Sequence, residues 1–353
     1  MTKTADMSSP HAQQHPTSKP RKRRGLRIFL KIFGAFLVVL ALAVAALLVI
    51  PFTEVADHTY VSGSADWMES VDDEVLLSDM VIPGTHDSAT KYCELAFITK
   101  CQALTIGDQL AAGFRYLDIR LGDDGAGNLL LYHGFTHAKT GAFGENLTLD
   151  AVLDMCYAFL KSHPTETIIF AVKQEHGDVS VAEFQRMLDA HVQAAPDKWL
   201  LTGEIPTLGE ARGKLVLMRR YEDEAGLGEA AGIPLLWVNQ NGHDDVTLNV
   251  TPEDNGSYTL WVQDRYEFGT EDKWSAFMTG METAADQALA GDVRLHFLST
   301  KGTFVQGHPY AYAKDLNDKL MGDVLSERLS GWIIVDFGSA KLAKHIYKAN
   351  EYL

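Results

Sequence analysis

Eight short apolar runs, separated by helical or turn-rich stretches, constrain this chain more than any other feature. They lie at Val75–Ile82, Tyr116–Leu121, Leu129–Tyr132, Thr167–Val172, Lys214–Met218, Thr259–Val262, Leu295–Leu298 and Trp332–Val335. Apolar runs of about four to eight residues without polar alternation read as strands buried on both faces, as parallel sheets require. Between them, Leu149, Val152, Leu153, Cys156, Phe159 and Leu160 recur at helical spacing, as do Val181, Phe184, Met187, Leu188 and Val192. Leu316, Leu320, Val324, Leu325 and Leu329 repeat the pattern before the last run. This alternation predicts an α/β barrel. A doubly wound open sheet is the alternative, but no Gly-rich phosphate loop follows a first strand.

The N-terminal part is different in kind. Seven Lys/Arg between Lys19 and Lys31 precede an uncharged run, Ile32–Ile50, which Pro51 ends. Its nineteen residues match a hydrocarbon core of ~30 Å. A cleaved secretory signal is the competing reading, and Ala43-Val-Ala45 resembles a cleavage site. The apolar stretch, however, exceeds the ~7–15 residues of a signal core. The expected organisation is a basic cytoplasmic tail (1–31), a signal anchor (32–50), a polar linker (51–73) and an extracellular catalytic domain (74–353), with the basic flank holding the N-terminus inside. Cleavage would instead release the domain as a secreted protein.

Of 31 basic and 47 acidic residues, eight and one precede residue 32, leaving 23 against 46. Such an acidic domain excludes general adhesion to nucleic acid or anionic bilayers, so any basic cluster within it serves a local anionic ligand. Cys93 and Cys101 can close a small loop outside the cytoplasm, leaving Cys156 as a buried helix residue. No CxxC spacing points to a zinc site. Asn146, Asn249 and Asn255 head glycosylation sequons, which matter only in a eukaryotic secretory host.

In a barrel the active site lies at the C-terminal strand ends. Along the chain these ends carry His86; Asp118 and Arg120; His133; Lys173 with Glu175; Arg219 and Arg220; Asp264 with Tyr266; Thr300 with Lys301; and Asp336. One histidine at a strand end is more often structural than catalytic. Two, accompanied by carboxylates and an arginine, suit attack of an alcohol on phosphorus, which needs a general base, a general acid and a cation for the non-bridging oxygens. Asp118 and Asp336 are available to orient the imidazoles. Arg120 supplies fixed positive charge where a carboxylate cluster would have implied Ca²⁺ or Mg²⁺. No metal and no cofactor are therefore expected. Asp264 and Arg220 could alternatively form a structural ion pair, and alternation lets only one of Arg219 and Arg220 point inward.

Pro83-Gly-Thr-His-Asp-Ser88, Leu117-Asp-Ile-Arg120, Tyr132-His-Gly134, Glu166-Thr-Ile-Ile169, Arg212-Gly-Lys-Leu-Val216 with Arg220-Tyr221, Val262-Gln-Asp-Arg-Tyr266 and Trp332-Ile-Ile-Val-Asp336 together resemble the bacterial phosphatidylinositol-specific phospholipases C, in order from about residue 75 to the C-terminus. The resemblance implies an irregular TIM barrel and metal-independent attack of the inositol 2-hydroxyl on phosphorus, giving diacylglycerol and inositol 1,2-cyclic phosphate. It implies His86 as base oriented by Asp336, Arg120 on the phosphate, and His133, assisted by Asp118, as acid. Lys173, Arg220, Asp264 and Tyr266 match its inositol-binding positions, and Asp87 is placed to tie down Arg120. The implied partner is phosphatidylinositol in a bilayer, with the enzyme a monomer. A glycosylphosphatidylinositol, an inactive inositide-binding surface protein and a barrel phosphodiesterase for another phospholipid are the alternatives. Phe135, Trp237 and the Trp274/Phe277/Met278 stripe are the apolar side chains offered for lipid contact.

Overall fold

The computed structural model describes residues 22–52, 59–240, 248–251, 258–303 and 307–352. The basic residues before Lys22, His243 and the Asn255 sequon lie outside them. Two units are defined, one up to Val49 and one from Ile50 onward. The described part of the first is the helix α1 (Lys22–Val49), long and apolar enough to cross a membrane by length and composition.

The second unit is built on twelve strands among the described residues: β1 (Pro83–Thr85), β2 (Tyr116–Asp123), β3 (Leu129–His133), β4 (Thr136–His137), β5 (Ile168–His176), β6 (Trp199–Leu200), β7 (Leu215–Arg219), β8 (Ile233–Pro234), β9 (Asn249–Thr251), β10 (Leu260–Gln263), β11 (Val293–Phe297) and β12 (Trp332–Val335). A parallel path runs β7-β5-β2-β1-β12-β11-β10, with β6 and β8 pairing in parallel along the outer edge of β7. Its helices are α2 (Ala96–Thr99), α3 (Ile106–Ala112), α4 (Leu149–Ser162), α5 (Val181–Ala194), α6 (Leu208–Ala211), α7 (Thr270–Gln287), α8 (Pro309–Asp323) and α9 (Ala340–Tyr347). The result is an α/β barrel-like fold. Among the described residues no ladder joins β8 to β10; there the Tyr258 hydroxyl donates to the Pro234 carbonyl.

Side-chain alternation explains both layers. Tyr116, Ile169, Ala171, Val216, Met218, Leu260, Val262, Leu295, Trp332 and Ile334 form the interior cluster. Their strand neighbours Leu117, Ile119, Phe170, Val172 and Leu217 pack outward with α4 and α5, and Ile333 and Val335 with α7, α8 and α9. Continuing each interior row by two residues reaches Asp118 and then Arg120, Lys173, Arg220, Asp264 and Asp336. Period-two geometry thus converts an apolar barrel floor into a charged mouth. Thr148, Ser180 and Ser339 cap α4, α5 and α9 by accepting from the backbone N–H three residues on.

Several expectations change. The first strand is Pro83–Thr85, not Val75–Ile82, and Pro83-Gly84 lies within it. A Cβ on Gly84 would sit 2.3 Å from Ile334 Cδ1 and 2.8 Å from Tyr116 Cβ, so glycine is required by close approach of β12 and β2 rather than by a turn. Leu129–His133 is not a barrel strand but the antiparallel return of β2; the two-residue β8 supplies the missing parallel member and was too short to read. The segment expected to be a polar spacer is, over Ser64–Ser70, packed under the barrel: Trp67 donates to Gly113 O at 2.9 Å and stacks on Tyr347. Phe277 is fully buried, with Trp274 and Met278 packed beside it, so that stripe is core. The expected Cys93–Cys101 disulfide is not formed, and Cys156 is buried in α4 as expected.

Candidate active site

The charged mouth opens into a cavity of about 760 Å³ lined by His86, Arg120, His133, Lys173, Arg220, Trp237, Asp264, Tyr266, Lys301 and Asp336 among others. Eight of the ten sequence-derived site residues thus face one space. Asp118 and Asp87 lie directly behind it, each 1% exposed.

His86 leaves β1 with its N–H on Val335 O at 3.0 Å, and its carbonyl accepts from Gln102 Nε2 at 2.7 Å. The same amide donates to Val335 O, so Gln102 clamps the His86 and Asp336 loops together. No periodicity or motif marks this glutamine in the sequence. Asp87 and Phe337 follow the two site residues with left-handed backbone, φ 43° and 48°, a conformation that bulky residues adopt only under local constraint. Asp87 N–H donates to Asp118 Oδ2 at 3.1 Å, and Ser88 Oγ accepts from Asp118 N at 2.9 Å. The His86 turn is therefore held by β2.

Nδ1–H of His86 donates to Asp336 Oδ1 at 2.8 Å, while Nε2 accepts from Arg120 Nη2 at 2.8 Å. That pair of bonds sets the neutral tautomer with its lone pair toward the cavity. Burial works against the imidazolium, but Asp336 and then Asp87 outweigh it, and the pKa is raised above 6.5; Arg120 opposes the rise. The Arg120 guanidinium also contacts Asp118 Oδ2 at 3.0 Å, Asp87 Oδ1 at 3.1 Å and Glu175 Oε1 at 3.4 Å. His86, Asp87 and Asp118 bring ligand atoms within 4.8 Å of one another, but Arg120 contacts all three and supplies the positive charge there.

His133 sits on the return strand β3, its ring centroid 6.2 Å from that of His86. Nδ1–H donates to Thr99 O at 2.7 Å, and Nε2 lies 3.4 Å from Asp87 Oδ2. The expected partnership of His133 with Asp118 is therefore corrected. Asp118 is committed to Arg120 and, at 3.2 Å, to Arg220 Nη1; burial pushes its pKa up, but the two guanidinium groups pull it well below the usual carboxylate range. Asp87 is the carboxylate beside both imidazoles, since His86 Nε2 lies 3.3 Å from its Oδ2.

Glu175, which ended its strand in the sequence without an assigned role, ties three parts of the site together. It accepts from Lys173 Nζ at 2.6 Å and from Gly134 N at 3.0 Å beside its contact with Arg120. Burial opposes its ionisation, but Arg120 and Lys173 hold its pKa at about 2. Arg220 rather than Arg219 turns inward, and its guanidinium lies 3.9 Å from the centre of the Trp237 ring. Trp237 Nε1 donates to Asp264 Oδ2 at 3.2 Å. Asp264 thus pairs through tryptophan, not directly with Arg220, and Trp237 lines the cavity wall between them. Tyr266 receives a hydrogen bond from Asn239 at 3.2 Å. Phe135 is 68% exposed.

A barrel-like α/β fold with two histidines beside a shared buried carboxylate and a half-buried arginine defines a class of acid–base site suited to a phosphorylated substrate. Residues 77–221 match the family model of phosphatidylinositol-specific phospholipase C, X domain. The chain is 28% identical over 305 residues to the 1-phosphatidylinositol phosphodiesterase of Listeria monocytogenes, covering 81% of this chain and 85% of that protein. It is 29% identical to the Staphylococcus aureus protein of the same name, over 77% and 88% of the two chains. The solved phosphatidylinositol-specific phospholipase C from L. monocytogenes superposes with a TM-score of 0.60 at 24% identity, covering 81% of this chain and 98% of that one. A mutant of the S. aureus enzyme gives 0.67 at 23% identity, over 81% and 96%. The chain is thus similar to the bacterial phosphatidylinositol-specific phospholipases C over most of its length, and its X-domain match spans β1 to the end of β7.

Proposed function

We propose that this protein is a phosphatidylinositol-specific phospholipase C that forms inositol 1,2-cyclic phosphate without a metal ion. The observation that carries the reading is the pair of imidazoles sharing Asp87, at 3.3 Å from His86 Nε2 and 3.4 Å from His133 Nε2, with Asp336 on His86 Nδ1 and Arg120 on His86 Nε2, each at 2.8 Å. The names of the Listeria and Staphylococcus relatives support the substrate.

His86 Nε2 takes the proton of the inositol 2-hydroxyl as its oxygen bonds to phosphorus, and Asp336 stabilises the resulting imidazolium. Arg120 turns from Nε2 toward the non-bridging oxygens, where charge accumulates. The bond from phosphorus to the glycerol oxygen breaks, and protonated His133 delivers its Nε2 proton to that oxygen. Asp87 and the Thr99 carbonyl hold the ring. Diacylglycerol and the cyclic phosphate leave, and the two histidines exchange protonation states before the next turnover. Slow hydrolysis of the cyclic ester can follow. Lys173, Arg220 and Asp264 bond ring hydroxyls, and Tyr266 covers a ring face.

The fold reading is an irregular TIM barrel preceded by a transmembrane helix. A basic cytoplasmic tail (1–31), a signal anchor (32–50), a linker (51–73) whose second half packs on the barrel, and an extracellular catalytic domain (74–353) acting as a monomer complete it. The length and apolar character of α1 and the basic residues before it support that topology. The test is an EDTA-treated assay on vesicles of phosphatidylinositol, phosphatidylcholine or sphingomyelin. Cyclic phosphate from the first alone is expected; loss of activity in EDTA, or the same product from His86→Ala, overturns the reading.

A further inference from the structure

Beneath His133 lies a thiol for which the mechanism has no use. Cys101 is 2% exposed and lines the floor of the same cavity. Its Sγ is 3.9 Å from Nδ1 of His133, and one ligand atom from each of Asp87, Cys101 and His133, a ring nitrogen in the last case, lies within 4.8 Å of the others. These are a thiol, an imidazole and a carboxylate, the donor set that borderline-soft divalent cations select.

Two further observations point to a ligand. Both carboxylate oxygens of Asp87 are buried and accept no hydrogen bond, although they lie within ion-pair distance of Arg120, His86 and His133. His133 already donates Nδ1–H to the Thr99 carbonyl, the outer-shell bond that fixes a metal-ligating imidazole, and its Nε2 lies 3.4 Å from Asp87 Oδ2. A second group, His86, Cys101 and Asp336, has equally close atoms, but its histidine and carboxylate are bonded to each other at 2.8 Å.

We infer that the active site contains an inhibitory site for a zinc-class divalent cation, with Cys101 Sγ, His133 Nε2 and Asp87 as its protein ligands and a fourth position facing the cavity. The inhibitory consequence rests on the phospholipase reading; the binding site does not. On binding, the Cys101 S–H bond is replaced by a sulfur–metal bond, the proton passes to solvent, and no change of oxidation state occurs. The metal occupies the nitrogen that would protonate the leaving oxygen and the carboxylate that holds it. Arg120 keeps Asp118 and Glu175 as partners.

The experiment uses the full chain in detergent, titrated with Co²⁺ as a spectroscopic probe and then with Zn²⁺. One equivalent of Co²⁺ is expected to give a thiolate-to-cobalt charge-transfer band that Zn²⁺ abolishes. Turnover of phosphatidylinositol falls in step with zinc occupancy, and EDTA restores it. Cys101→Ala and Cys101→Ser keep basal turnover, lose the band and need at least about 100-fold more Zn²⁺ for inhibition, the upper end of the effect of losing even an outer-shell partner. Cys93→Ser and Cys156→Ser keep the band. A band that survives in Cys101→Ala, a wild type without one, or equal zinc sensitivity of wild type and Cys101→Ala overturns the inference. Absence of turnover in every sample overturns the phospholipase reading instead, and the cobalt band still decides the site.

Discussion

Arg120 Nη2 donates to His86 Nε2 across 2.8 Å, so the proposed phosphate-binding cation and the proton-accepting nitrogen are in contact before substrate enters. A lysine ammonium cannot span Asp87, Asp118, Glu175 and a phosphate oxygen at once. Arg120→Lys is expected to lower kcat/KM by about 10²–10³, the cost of one lost oxyanion donor. Steady-state kinetics on phosphatidylinositol check it, and a loss under tenfold would remove Arg120 from the transition state.

The acid limb of the pH profile should move in opposite directions in two variants. His86 accepts a proton only when neutral, so kcat/KM rises with pH through its pKa, which Asp336 and Asp87 raise above 6.5 against burial and Arg120. Asp336→Asn removes an attractive charge, lowers that pKa and shifts the limb to lower pH, while reducing kcat by up to about 10⁴ through loss of the oriented tautomer. Arg120→Ala removes a repulsive charge and shifts the limb upward. Equal limbs in wild type and both variants would mean that another group titrates there.

Asp87 and Asp118 are separated by leaving-group chemistry. Asp87 faces His133, so Asp87→Asn should slow cleavage of a glycerol leaving group far more than that of a nitrophenol, which needs no proton. Asp118 faces Arg120 and Arg220, so Asp118→Asn should slow both alike. Comparing the two substrates on the two variants measures this; the same selectivity in both variants would restore Asp118 as the partner of His133.

Gly84→Ala should damage stability and turnover together. The added methyl meets Ile334 and Tyr116 inside contact distance, and His86 lies two residues further on. A loss of about 1–3 kcal/mol is expected from overpacking, read by urea unfolding, with a fall in kcat at temperatures where the variant is folded. An unchanged kcat would show that β1 register does not position the base.

The floor of the barrel should separate stability from catalysis. Arg115 and Glu166 are fully buried with Nη2 and Oε2 2.9 Å apart, and Glu166 also accepts from Met68 N at 3.0 Å. Burial outweighs the attraction in both, raising the pKa of Glu166 and lowering that of Arg115. Glu166→Ala leaves an unpaired buried guanidinium and should cost about 3–5 kcal/mol, with kcat of the folded fraction near wild type. Unfolding and activity measured on one preparation check both halves.

Strand–helix alternation and the interior rows were legible because burial on both faces removes polar residues from a strand except where it emerges at the mouth. Leu260, Val262 and Asp264, or Trp332, Ile334 and Asp336, carry that signature in five residues each. Gln102 was not legible, because it acts through carbonyls of residues remote in sequence. Neither was the place of Trp237, whose partners Arg220, Asp264 and Phe297 lie on or just past three different strands.

By itself the sequence determined which residue types stand at which strand ends, that strands alternate with helices, and that an arginine lies between two histidines in chain order. Only the tertiary structure decided who pairs with whom. Asp118 and Asp87 are both carboxylates close to a histidine in sequence or in strand order, and nothing local distinguishes them. The left-handed backbone at Asp87 and the antiparallel return of β3 bring Asp87 to His133, and the inward turn of Arg220 commits Asp118 elsewhere. Ion-pair partnership depends on distances of a few ångströms across strands some thirty to a hundred residues apart, and that distance is set by packing rather than by order along the chain.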